Sequence, residues 1–523
     1  MNKLAQLDQR YVWHPFTQMR DWLRREPIVI ASGKGAVLRD VKGLEYLDAN
    51  SSIWTNLHGH QHPKINAALT RQLKKIAHSS ALGFANEPAS LLAERLVKIA
   101  NCQLPIANLN QAHGRPKNWK LAMANCKLEK VFFSDDGSTA LEVALKLAYE
   151  FTRRTRKPVG RASARAVEPK FLSLVGAYHG DTIGAVSLGH VDLFHKAYGG
   201  MLFATDKVMS PYCYRCPFNK AKPERADARK YRKCNWECVG LVEQKFVAQK
   251  KRGNPYAGFV FEPLMQGAAG MIPQPSDWLA QVTQIARAHG ALLIADEVMT
   301  GFGRTGSAAA TAAVRRALAP IGQADDEGVV EYDRGGRAPQ SLFACHHENV
   351  SPDFLCVAKG LTGGYLPMAA TLTTQKVFNA FLGEYEEFKT FFHGHSFTGN
   401  QLGAAAALAS LDLLATKTSV LQRARLQKLL HDELQTLWAL PHVGDIRQVG
   451  LVAGVELVKD WRTRAPYALR ERAGIRVCEA MAKRGVLTRP VGNVIVLMPP
   501  YCTTRTQLQK MVSALAAGVA ESF

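Results

Sequence analysis

Lys359 lies in the stretch Asp353-Phe-Leu-Cys-Val-Ala-Lys359-Gly360-Leu-Thr-Gly363-Gly364, and upstream Asp296 closes the apolar run Leu292-Leu-Ile-Ala-Asp296. A lysine set among small and apolar residues stabilises a fold poorly, because desolvation disfavours its charged form. For the same reason it makes a good carbonyl-trapping amine. An acid that ends an apolar strand supplies the partner a pyridine nitrogen requires. The pair points to pyridoxal phosphate (PLP) chemistry, with Lys359 holding the aldehyde as a Schiff base. Either residue alone reads equally as a surface lysine after a strand or an acid at a strand end.

Further stretches could serve the same ring. Ser134-Asp-Asp-Gly137-Ser138-Thr139 follows a strand and opens a helix. Gly137 permits close backbone approach, Ser138 offers a hydroxyl, and the helix start offers N–H groups, which together make a phosphate seat. A plain Ser/Asp cap is the other reading. Gly176-Ala-Tyr178-His179-Gly180 follows another strand, and Tyr178 could stack on a planar cofactor. His393-Gly394-His395-Ser396 precedes an Ala-rich helix and either borders a ligand or starts that helix. Arg489 would bind a carboxylate bidentately if it faces a cleft. Gly301-Phe-Gly303-Arg304-Thr-Gly306 matches a dinucleotide fingerprint in letters only. Asp296 and Glu297 put negative charge where a pyrophosphate would sit, and Val298-Met-Thr parts the strand from the glycines.

The elements that must position these residues show in the hydrophobic pattern. Strand-like runs at Lys130–Phe133, Phe171–Val175, Phe259–Glu262, Leu292–Asp296 and Phe354–Ala358 alternate with helical stretches. That alternation predicts an α/β fold with a mostly parallel central sheet, whose sites gather at the carboxyl ends of strands. From about Leu402 a long Ala/Leu helix leads into strands at Val449–Leu457 and Val494–Leu497, which reads as a smaller α+β domain. We expect an N-terminal segment, 1–60, packing with that small domain; a large domain, 61–400; and the small domain, 401–523. Insertions are expected near 106–127, 152–169, 211–238 and 307–340.

The net charge of +22 is concentrated. Residues 150–170 and 220–233 each carry seven Lys/Arg against two acids. Such runs usually form solvated surface, and without interleaved aromatics beyond Tyr231 they are not expected to bind nucleic acid. Cys213-x2-Cys216 and Cys234-x3-Cys238 could hold a structural zinc, or remain reduced thiols in a surface excursion. The N-terminus has no apolar signal region and no run reaches membrane-spanning length, so a cytoplasmic protein is expected.

Taken in order, Trp13-His-Pro-Phe-Thr-Gln-Met19, Ser51-Ser-Ile-Trp54, Ala177-Tyr-His-Gly-Asp-Thr182, Asp296–Gly306, Lys359-Gly-Leu-Thr-Gly-Gly364 and Arg489-Pro490 resemble the class III (fold type I) PLP-dependent aminotransferases. The likeness covers nearly the whole chain outside the insertions. Within the class it is nearer to members that convert 8-amino-7-oxononanoate to 7,8-diaminononanoate in biotin biosynthesis. The resemblance implies a catalytic set of Lys359, Asp296 and Tyr178, with Lys359 carrying the cofactor and moving the proton, Asp296 pairing with the pyridinium nitrogen, and Tyr178 stacking on the ring. It implies that Gly137 and Ser138 hold the phosphate, and that His395 and Ser396 complete that seat from the neighbouring subunit of a homodimer. It further implies that Gly394 borders the substrate and Arg489 takes its carboxylate. Phe16, Ile53 and Trp54 would then line a channel for the aliphatic chain. Members using S-adenosylmethionine as donor carry Tyr in place of Phe16 and a Trp pair in place of Ile53-Trp54, whereas lysine users look more like this chain. Either donor fits. A class III ω-aminotransferase using pyruvate or 2-oxoglutarate is the alternative.

Overall fold

Seven short strands form one sheet, in the order Leu128–Ser134, Ala369–Thr374, Phe354–Val357, Leu292–Asp296, Gly258–Phe261, Phe171–Leu174, Asp206–Val208. Ala369–Thr374 runs antiparallel to both its neighbours, and the other paired strands run parallel. The computed structural model describes residues 2–101, 127–156, 168–306 and 342–523. Of the expected insertions, 307–340 lies wholly, and 106–127 and 152–169 largely, outside these residues.

The central strands read as continuous apolar runs because both faces of the sheet are covered. Gly258–Phe261 and Phe354–Val357 are buried at every position. Val260, Ile294, Phe354 and Cys356 pack with Ala140, Val143, Ala144 and Leu147 of helix Gly137–Thr155. Phe259, Phe261, Leu293 and Leu355 instead join the larger core with Leu279 and Val282 of helix Trp278–Ala288. Each such Leu, Ile or Phe contributes about 1.5–3 kcal/mol on burial. Two strands of this sheet were not anticipated. Asp206–Val208 is short and polar at its start, and Ala369–Thr374 is rich in Ala and Thr, without the bulky run that marks its neighbours.

The N-terminal strands Ile30–Lys34, Val37–Asp40 and Glu45–Asp48 share a sheet with Val486–Leu487, which pairs in parallel with Glu45–Asp48. The C-terminal sheet is antiparallel, built on Val443–Val449, Val452–Asp460 and Val494–Leu497. Gly450 turns the first hairpin at φ 60°, where a Cβ would also meet the Thr305–Gly306 backbone. No single helix among the described residues is long and apolar enough to cross a membrane.

The 211–238 excursion departs from the expected solvated surface. Arg225 donates to the carbonyls of Val443 (2.5 Å) and Leu440 (3.0 Å), and Arg229 to that of Gln448 (2.9 Å). Tyr212 and Arg215 reach Glu456, which also pairs with the buried Arg447, itself 2.8 Å from Asp445. Part of the basic run therefore satisfies carbonyls of the C-terminal sheet, and Arg215, just before it, a carboxylate there. Charge alone could not reveal this, because the partners lie more than two hundred residues away.

Candidate active site

The carboxyl ends of five strands converge on one cavity of about 440 Å³. Asp135 to Ser138 arrive after Leu128–Ser134, Tyr178 to Gly180 after Phe171–Leu174, and Glu262 after Gly258–Phe261. Asp296 closes its own strand, and Ala358-Lys359 follows Phe354–Val357. Register brings the two chemical residues together. Asp296 pairs with Cys356 on the parallel neighbour, so Lys359 begins only three residues beyond the level of Asp296.

Lys359 leaves its strand at φ 40°, a left-handed conformation that a side-chain-bearing residue adopts only when its surroundings impose it. Burial pushes its amine below the ordinary lysine range, and the charges of Asp296, Glu262 and Asp181 oppose that shift. Its Nζ stands 5.2 Å from the centre of the Trp54 ring. Asp296 is held rigidly: Oδ1 accepts from Val298 N (3.0 Å) and Oδ2 lies 2.7 Å from His179 Nδ1. Because the carboxylate accepts, the proton on that face of His179 is assigned to Nδ1.

Gly137 and Ser138 line the cavity as the first residues of a nineteen-residue helix capped by Asp136, whose side chain accepts from Thr139 N. A Cβ at Gly137 would approach Val298 Cγ1 to 2.7 Å. A helix start stripped of side-chain bulk suits a phosphate. Tyr178 is half-buried, with its hydroxyl donating to Asp181 (2.7 Å); burial, then that bond, raises its pKa. PLP therefore fits these residues: an anion seat at one end, a buried carboxylate at another, a ring-sized space and an amine between.

The other anticipated residues are placed differently. Trp54 lines the cavity, but Ile53, Phe16, Gly394, His395, Ser396 and Arg489 do not. Phe16 packs edge-on against Phe194 (5.2 Å) and Tyr178 (6.5 Å), and its carbonyl accepts from Arg489 at 3.4 Å. His395 Nδ1 lies 2.9 Å from Asp135, and Ser396 is exposed, its carbonyl 2.8 Å from His78 Nε2. Ser51, Ser52, Ile53 and Trp54 all have positive φ (47°, 49°, 69°, 73°), a left-handed turn that costs about 1–2 kcal/mol per residue.

The structure does not support the zinc alternative. Among the described residues no set of three or more His, Cys, Asp or Glu side chains is arranged to hold a metal ion. Cys213 sits on a short turn and Cys238 in the first turn of another helix, and burial pushes their thiols up to about 12 and about 11. The glycine-rich 301–306 stretch opens no helix in the described chain; its Arg304 is buried and donates to Pro499 O (2.8 Å) and Asn56 O (3.0 Å), tying three parts of the chain together.

Sequence reasoning missed Glu262. It ends the apolar run Phe259-Val-Phe just as Asp296 ends its own, and that repeated pattern was the available signal. Its carboxyl accepts from Gly267 N (2.8 Å) and Tyr178 N (3.3 Å). Burial, reinforced by Asp296 and opposed by His179, lifts its pKa from 4.5 to about 7. A carboxyl raised in the folded state contributes stability that is complete below its unfolded pKa and is lost as pH rises through the folded value. Urea unfolding of the cofactor-free protein from about pH 4 to pH 8 should show this loss, and Glu262→Gln should reduce it by at most about 3 kcal/mol. An identical pH slope in both proteins would exclude Glu262 as its source.

The aminotransferase class-III family model matches residues 19–320 and 335–519. The chain is 42% identical over 516 residues to the adenosylmethionine-8-amino-7-oxononanoate aminotransferase of Geobacter sulfurreducens, covering 99% of this chain and 97% of that one. The crystal structure of the Methanocaldococcus jannaschii protein of that name superposes with a TM-score of 0.78 at 35% identity, covering 99% and 98% of the two chains. A PLP-bound amine transaminase from an uncultivated Pseudomonas species superposes at 0.76 with 29% identity, covering 98% and 99%. Cavity, sheet order and full-length similarity agree, and the chain belongs to the class-III aminotransferases.

Proposed function

We propose that this chain transfers an amino group to 8-amino-7-oxononanoate, giving 7,8-diaminononanoate, with S-adenosylmethionine or lysine as donor and PLP as cofactor. The observation that carries the reading is one cavity in which Lys359, Asp296 and the Gly137 helix start meet beneath Trp54, in a chain 42% identical over its length to a relative named for that reaction. When bound, PLP supplies an electron-accepting ring that takes up an amino group from one substrate and yields it to the next.

The chain's own residues do the rest. Lys359, its charge disfavoured by burial, would hold the cofactor through its amine and, once displaced from it by the incoming substrate amine, would move the proton at the reacting carbon. Asp296, oriented by His179, holds the ring nitrogen protonated. Gly137 and Ser138 bind the phosphate, and Tyr178 and Trp54 confine the ring. Arg489 takes the substrate carboxylate, with Phe16 and Ile53 on the approach to it.

The unit is a homodimer in this reading, with His395, Ser396 and Gly394 serving the partner's cavity. Their absence from their own cavity supports this, as do large exposed apolar side chains along the same region: Phe392 (75%), Phe397 (59%), Leu82 (88%) and Phe84 (72%). Patches of that kind mark interfaces.

A half-reaction tests the assignment. Holoenzyme mixed separately with lysine and with S-adenosylmethionine should lose the near-UV/visible band of the lysine-linked cofactor with one of them, and 8-amino-7-oxononanoate should restore it. Bleaching by neither, with steady turnover of an ω-amino acid and pyruvate, would overturn it in favour of the alternative.

A further inference from the structure

The left-handed turn Ser51–Trp54 contains neither glycine nor asparagine, so something must impose its shape. Asp48, at the end of strand Glu45–Asp48 and 3% exposed, does so. Its Oδ1 accepts from the backbone of Ser52 (3.0 Å) and Asn50 (3.3 Å), and its Oδ2 from Ser52 Oγ (2.9 Å). His60 Nε2 lies 3.1 Å from the same Oδ2. The other ring nitrogen of His60 faces the Asn56 amide nitrogen at 3.1 Å, which is a donor, so Nδ1 accepts and Nε2 carries the proton toward Asp48. His60 is itself pinned by paired backbone bonds to Gly35 (2.8 and 3.0 Å). Four donors thus converge on one buried carboxylate, and no other side chain of its length can accept them all.

What the turn carries is Trp54. Its indole N–H donates to Asn50 Oδ1 (2.9 Å), and its ring faces Lys359 Nζ. The ring also packs against the buried cluster of Met265, Met271 and Met299, which limits how far it can shift.

We propose that Asp48, backed by His60, is a positioning residue for the reaction: it holds the left-handed turn and thereby sets the Trp54 ring against Lys359, fixing the room left for the aliphatic acceptor. The identity of that acceptor rests on the function proposed above; the positioning does not.

The test is a double-mutant cycle on holoenzyme between Asp48→Asn and Trp54→Ala. Asparagine keeps the shape but offers one acceptor oxygen in place of two. Alone, Asp48→Asn should raise the acceptor KM about tenfold while kcat stays within about threefold, and it should move the pH midpoint of the lysine-linked cofactor band. In the Trp54→Ala background both effects should vanish, because the residue through which Asp48 acts is gone. Equal effects in both backgrounds would mean a purely structural role and overturn the proposal, as would no effect in either. If the wild type does not aminate 8-amino-7-oxononanoate, the band midpoint still decides, and the two failures remain distinct. Should Asp48→Asn not yield soluble protein, Ser52→Ala, which deletes one of the four bonds, replaces it in the same cycle.

Discussion

Lys359→Ala should abolish the near-UV/visible band of the lysine-linked cofactor and lower turnover by roughly 10^4-fold or more, since both nucleophile and proton carrier are lost. The physical case rests on position and charge. The amine is enclosed at the junction of strand Phe354–Val357 and the cavity, where burial outweighs the attraction of Asp296, Glu262 and Asp181. A residue held at φ 40° with a disfavoured charge contributes little to stability, so the variant should unfold near the wild-type temperature. Lys359→Arg should be equally inactive, because a guanidinium stays protonated. Full turnover with an unchanged spectrum in Lys359→Ala would remove the foundation of the proposed mechanism.

Asp296→Asn should keep the band, because Lys359 remains, yet lose about 10^2–10^3-fold in turnover, the range seen when one preorganised electrostatic partner is deleted. An amide cannot hold a ring nitrogen protonated, and its NH2 would confront either Val298 N–H or the proton of His179, whose distances to the carboxylate are 3.0 and 2.7 Å. Cofactor affinity should fall as well, measured as the concentration of PLP needed to restore the band. A variant with wild-type turnover and affinity would show that the ring nitrogen lies elsewhere.

Several parts of this arrangement were legible in one dimension. Leu292–Asp296 and Phe354–Val357 announce themselves as buried parallel strands by unbroken apolar runs, and the residues ending or following them fall at the carboxyl edge where such sheets bind ligands. The Gly137 helix start was readable from the cap chemistry of Asp136 and Thr139. Ala369–Thr374 escaped notice because small and hydroxylated residues suit a strand packed tightly between two others as well as they suit a loop.

Residue type and local period therefore determined which groups could react and that they would sit at strand ends. Only the tertiary structure decided which of those ends meet. It set Glu262 beside Tyr178 and Gly267, turned His179 onto Asp296, and bent Ser51–Trp54 left-handed over Asp48. The reason is that strand order and register place neighbours from distant parts of the chain, whereas pattern along the chain carries information only about the face each residue presents.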